Sequence, residues 1–131
     1  MARKYIDELG IYFEDTPQGW NKGDKRQEEW KKQREEYGFD ERETWNLNDT
    51  FKFWLYERLC MFNEINIIDT SYHKFEYKGE TLTFQDCIDR MLEGLKLDLT
   101  LPDYADERDQ NKEKINDVIP IFALCFDKLW W

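Results

Sequence analysis

The chain has 131 residues, a formal charge of −10, 37% charged and 17% aromatic residues. That length suits a single domain spanning 1–131, and so many rings beside so many charges exclude a disordered chain. The charge disfavours direct binding of nucleic acid through a basic groove and makes a basic protein the natural partner.

The acidity is uneven. Residues 1–39 hold nine acids and eight bases, whereas residues 40–131 hold twenty acids and eleven bases. Cys60, Cys87 and Cys125 are far apart, odd in number and free of any CxxC spacing, which predicts buried thiols in a reducing, cytoplasmic compartment. No stretch approaches the roughly 20 apolar residues of a membrane span, so no membrane is expected.

In chain order, residues 1–23 carry Tyr5, Ile6, Leu9, Ile11, Tyr12, Phe13 and Trp20 broken by Gly10, Pro17, Gly19 and Gly23, which reads as a short helix and an irregular arm. Tyr12, Phe13 and Trp20 are its expected anchors. Asp24 is placed to cap a largely polar helix over 25–37, with Gly38 at its left-handed end and Trp30 and Tyr37 on its attached face. Asp40 with Glu43 has the form of a capping box before a short turn carrying Trp45.

From Asp40 to Glu64 runs the most apolar helical pattern. Leu47, Phe51, Trp54, Leu55, Arg58, Leu59 and Phe62 share one face, and Phe53, Tyr56, Cys60 and Met61 make much of the other side apolar, predicting a buried core helix. Arg58 on that stripe implies a buried charge beside an intramolecular acid. Phe75 and Tyr77 alternate before Lys78-Gly79, and Leu82 and Phe84 alternate after it, the signature of a short β-hairpin.

Thr83 with Asp86 opens a second amphipathic helix whose apolar side is Phe84, Cys87, Ile88, Met91, Leu92, Leu95 and Leu99. Its other side lines up Asp86, Asp89 and Glu93. Leu101-Pro102 ends that helix, and Asp103, Asp106, Glu107 and Asp109 then form an acidic run containing one base, Arg108, either as a loop or as the first turn of the last helix. Ile115, Val118, Ile119, Phe122, Phe126 and Leu129 continue at helical spacing, with Pro120 predicting a kink or a restart near Asp117. Trp130 and Trp131 either dock back into the core, the favoured reading, or form an aromatic interface. The whole reads as a mainly α, compact helical bundle of about four to five helices with one short β-hairpin, its two strongest helices packed together.

The segments YGFDERETWNLNDTF, LYERLCMF, TLTFQDCIDRMLEGLK and the closing LWW resemble a family of small proteins from bacteriophages and prophages of Gram-positive bacteria. The likeness covers most of the chain from about Trp30, and its most recognisable part is Glu41, Arg42, Trp45, Leu47 and Asn48. Family members often carry Pro where this chain has Glu57. The resemblance implies the cytoplasm of a bacterial host and no particular activity.

Catalytic constellations are absent from the sequence: no GxSxG, P-loop, GxGxxG or HExxH occurs, and the lone His73 beside Ser71 reads as a solvated side chain. No cofactor, no metal and no enzymatic activity are expected. Asp86, Asp89, Glu93, Asp103, Asp106, Glu107 and Asp109 are the candidate partner-binding residues. They point to a small acidic inhibitor of a host nucleic-acid-binding defence protein, of the anti-CRISPR type. A self-associating accessory protein using Trp130 and Trp131, and a metal-dependent hydrolase, are the alternatives.

Overall fold

Helical periodicity becomes helix over most of the computed structural model, which describes residues 3–131, and the fold is mainly α with one two-stranded hairpin. By its contacts the chain divides into two units, the first ending at Glu57 and the second beginning at Arg58.

The first unit contains α1 (Lys4–Glu8), α2 (Gln27–Tyr37), α3 (Arg42–Trp45) and the opening turns of α4 (Leu47–Ile65). Gly38 ends α2 at φ 86°, and its N–H donates to the Arg34 carbonyl, the left-handed cap that the sequence predicts. At the other end Asp24 does not cap α2. Its Oδ1 accepts the Arg26 backbone N–H at 2.8 Å and the Arg26 guanidinium bonds both of its oxygens, so the helix starts two residues later, at Gln27.

The Asp40–Glu43 capping box is not formed either. Asp40 Oδ1 accepts from Arg42 N and Nε, both at 3.0 Å, while Oδ2 accepts from Arg42 Nη2 at 2.8 Å and Arg34 Nη1 at 2.7 Å. Two guanidinium groups therefore take the carboxylate that the box needs. Trp30 is wholly buried beside this cluster: Arg42 stacks over its ring at 4.4 Å, and its indole N–H donates to Glu41 at 2.8 Å.

Of the three expected anchors of the arm before α2, Phe13 and Trp20 are half-buried and Tyr12 is not an anchor. Tyr12 is exposed, and the fixed points are buried Ile6, buried Thr16 and Arg3, whose guanidinium pairs with Glu57 and bonds Gln18 at 2.7 Å. Gly19 lies so close to the chain that an added Cβ would sit 2.0 Å from the Phe13 carbonyl oxygen. Residues 1 and 2 of the predicted arm lie outside the described residues.

Along α4 the buried positions are Phe53, Leu55, Tyr56 and Leu59, while Leu47, Trp54, Arg58, Met61 and Ile65 are exposed. The inward stripe is thus turned about one residue from the predicted one. A helix with apolar residues on nearly every side satisfies the periodicity in several rotations, and only its neighbours decide which is used. Arg58 consequently faces water and is not a buried charge; the buried arginine is Arg42, 4% exposed.

The second unit begins within α4 and adds β1 (Lys74–Tyr77), β2 (Glu80–Thr83), α5 (Phe84–Thr100), α6 (Asp106–Gln110), α7 (Lys112–Asn116) and α8 (Val118–Cys125). Lys78 and Gly79, at φ 49° and 79°, form the tight hairpin turn and pair Phe75 with Leu82 across the antiparallel strands. The Thr83–Asp86 capping box closes as predicted: Thr83 Oγ1 accepts the Asp86 N–H at 3.0 Å, and Asp86 Oδ2 accepts the Thr83 N–H at 2.9 Å.

Leu82, Phe84, Cys87, Ile88, Met91 and Leu95 then join Val118, Ile121 and Cys125 in a nearly dry interior. The main partners of α5 are α8 and α7. Inside the second unit the last turns of α4 meet the start of α5, Phe62 standing edge-on to Phe84 at 6.0 Å and Gln85 donating to Asn63 at 2.8 Å. Within the second unit α5 comes closest to its neighbours at Gly94, where an added Cβ would lie 2.4 Å from both the Lys114 carbonyl oxygen and Val118 Cγ2. The thiols of Cys87 and Cys125 are buried, Cys125 Sγ donates to the Phe122 carbonyl at 3.9 Å, and the neighbouring Cys87 thiol together with burial pushes the Cys125 thiol up. Cys60 is only half-buried.

Asp117 separates α7 from α8, which puts Pro120 in the first turn of α8, where its missing N–H is tolerated. The buried face is Val118, Ile121 and Cys125, while the predicted Ile119 and Phe126 are exposed. Trp130 and Trp131 do not dock into the core, being 69% and 51% exposed. A 3-10 turn over Phe126–Lys128 takes the chain off the α-helical period, so the residues after it do not return to the inward face.

Candidate interaction surface

The end of α5 sets the geometry of the acidic run. Leu101 is extended at φ −83°, ψ 130°, the conformation favoured before Pro102, and the helix stops at Thr100. A turn closed by Ala105 N–H on the Pro102 carbonyl at 3.1 Å leads into α6, whose first turn carries Asp106, Glu107 and Asp109. Carboxylates at a helix start are favoured by the peptide dipoles.

Arg108, the single base of the run, is turned away from these acids. Its Nη1 donates to Asp98 Oδ1 at 2.9 Å, Nη2 to the Asp98 carbonyl at 2.6 Å and the Leu101 carbonyl at 3.1 Å, and Nε to the Leu101 carbonyl at 3.3 Å. The guanidinium thereby serves carbonyls at the C-terminal end of α5, where a cation is favoured. Asp106, Glu107 and Asp109 are left exposed, Tyr104 beside them is 89% exposed, and Asp103 keeps only a loose 4.0 Å approach to Arg108.

Asp86, Asp89 and Glu93 face solvent on the outer side of α5, as the periodicity predicts, but each is engaged. Asp86 closes the capping box, Asp89 accepts from Gln85 at 2.8 Å, and Glu93 pairs with Lys114 at 2.8 Å. The acids therefore form two sets, one committed on α5 and one largely uncommitted around α6.

A polar hub escaped the sequence reading. Asp117 accepts from Tyr77 Oη at 2.7 Å and Lys78 Nζ at 2.8 Å, tying the hairpin to the break between α7 and α8. Burial alone raises its carboxyl pKa, but the bonds from Lys78 and Tyr77 outweigh it and hold Asp117 below the ordinary 3.8. The only sequence signal was an acid at the predicted helix restart.

Ser71 and His73 form no nucleophilic pair, because the Ser71 hydroxyl donates to Asp69 at 2.5 Å and His73 stands edge-on to Tyr72 at 5.1 Å. Among the described residues no group of three metal-ligating side chains converges, and no helix is long and apolar enough to cross a membrane. Protein-family models, curated proteins and solved structures were compared with the chain, and none matches.

Proposed function

We propose that this chain is a small acidic binding protein of a phage that occupies a basic host protein and keeps it from nucleic acid. The observation that carries the reading is the withdrawal of Arg108 to the end of α5, which leaves Asp106, Glu107 and Asp109 displayed beside exposed Tyr104. Carboxylates a helical turn apart stand about 6 Å from one another, close to the spacing of backbone phosphates, so a surface built for phosphate accepts them. Tyrosine adds a large amphipathic contact at low entropic cost.

The test is affinity capture on the immobilised protein at low salt, followed by a nucleic-acid gel shift with each captured basic protein. The reading expects a salt-eluted partner whose nucleic-acid binding is lost in the presence of this chain. Recovery of no basic partner, or of one that still binds nucleic acid, overturns it.

A second reading is favoured by a separate observation, the exposure of Trp130 and Trp131. It makes the chain a self-associating accessory protein. Light scattering at high micromolar concentration decides: a strict monomer removes this reading.

A further inference from the structure

In the second unit, Ile68, Asp69, Tyr72, His73, Lys128 and Trp130 line a pocket of about 210 Å³. That is below the roughly 300–1,000 Å³ of a drug-sized ligand site, so an occupant is of single-ring size. Its walls are rings that have every reason to be elsewhere: Tyr72 and Trp130 are 75% and 69% exposed, and water is a poor neighbour for either face. Trp130 is held by its indole N–H, which donates to the Asp127 carbonyl at 3.1 Å, so its apolar body is left for another contact.

The pocket's two charges are the informative part. Four other cations of this unit have carboxylate partners, Lys78 with Asp117, Arg90 with Glu80, Arg108 with Asp98 and Lys114 with Glu93, while Lys74 donates to the Ser71 carbonyl at 3.2 Å and its charge is felt by Asp69. Asp69 and Lys128 line the same pocket, yet among the described residues they form no ion pair with each other or with another side chain. Asp69 Oδ1 accepts both the Ser71 N–H at 3.0 Å and the Ser71 hydroxyl at 2.5 Å, while Oδ2 accepts nothing among the described residues. Those bonds from Ser71 hold the Asp69 carboxyl below its ordinary 3.8, so it is ionised at neutral pH.

We propose that this pocket binds an aromatic α-amino acid, whose ring lies against Tyr72 and Trp130, whose ammonium meets Asp69 and whose carboxylate meets Lys128. A zwitterion neutralises both charges at once, which a simple cation or anion does not, because each would meet one partner and one like charge. The same chemistry is offered by a free amino acid and by an unblocked dipeptide containing one, and the two sources differ in the distance between their charges.

The test is an ¹⁵N NMR titration of the full chain with L-phenylalanine, L-phenylalanyl-glycine, N-acetyl-phenylalanine amide and toluene, following the Trp130 indole N–H. L-Phenylalanine is expected to give a saturable shift confined to 68–73 and 128–130, at least tenfold tighter than the blocked amide. Lys128→Met and Asp69→Asn are each expected to weaken it at least fivefold with the rest of the spectrum unchanged. Tighter binding of the dipeptide assigns the site to a peptide end and keeps its zwitterion chemistry. Equal binding of the blocked amide or toluene, an unshifted indole signal at 10 mM ligand, or unchanged affinity in Lys128→Met overturns the proposal.

Discussion

Asp40 and the run from Asp103 to Asp109 are both acidic stretches with an arginine close by, and they use it in opposite ways. Arg42 and Arg34 converge on Asp40, and the carboxylate is 2% exposed with four hydrogen bonds. Arg108 leaves its neighbours for the carbonyls of Asp98 and Leu101, and the acids it leaves face water. What decides whether an acid is structural or displayed is therefore where the arginine goes, and that depends on which unsatisfied backbone or buried group competes for it.

The largest expected effect breaks the first half of this contrast. Asp40→Ala strands the Arg42 guanidinium, 4% exposed, without its carboxylate, and loss of one partner of a buried pair costs about 3–5 kcal/mol. Urea unfolding followed by far-UV circular dichroism measures it. The same pair gives the acid dependence. Burial pushes the Asp40 carboxyl up, but the bonds from Arg42 and Arg34 outweigh it and leave it below 3.8. A depressed carboxyl contributes its stability above that ordinary value and loses it as the pH falls through the lower folded value. Wild-type stability is thus expected to drop below about pH 4, and the drop to be smaller in Asp40→Asn.

Next in size, Arg108→Ala removes charge-assisted bonds to the end of α5 and to Asp98, worth about 1.5–3 kcal/mol. Amide exchange at 97–101 is expected to accelerate more than in the rest of α5. Gly94→Ala follows at about 1–3 kcal/mol in thermal unfolding: helix propensity favours Ala by under 1 kcal/mol, but the new Cβ meets the Lys114 carbonyl oxygen, backbone that cannot swing aside. Thr83→Ala, which opens the capping box of α5, is expected to lower stability by about 1 kcal/mol in the same assay.

Local chemistry was legible in the sequence wherever it needed few neighbours. The left-handed Gly38, the Lys78-Gly79 turn, the Thr83–Asp86 box and the restart at Asp117 each depend on residues a few positions apart, and each formed. Helix rotation was not legible for α4 or α8, since both are apolar on more than one side, and so Arg58 was misjudged as buried and Ile119 as inward. The Asp40–Glu43 box failed because the Arg34 and Arg42 guanidinium groups, with the Arg42 N–H, already occupy both oxygens of Asp40. Of the candidate partner-binding acids the sequence identified the outward sides correctly, but it carried no sign that Asp86, Asp89 and Glu93 have partners while Arg108 is withdrawn.

Smallest in stability and largest in consequence is neutralisation of the displayed acids. Surface substitutions of this kind move stability by about 0.5 kcal/mol or less. The most direct measurement is therefore a side-by-side determination of melting temperature and partner affinity for the wild-type chain and the fourfold variant Asp103→Asn, Asp106→Asn, Glu107→Gln, Asp109→Asn. An unchanged melting temperature with at least tenfold weaker, less salt-dependent binding is the predicted result; equal affinity in the two chains would contradict it.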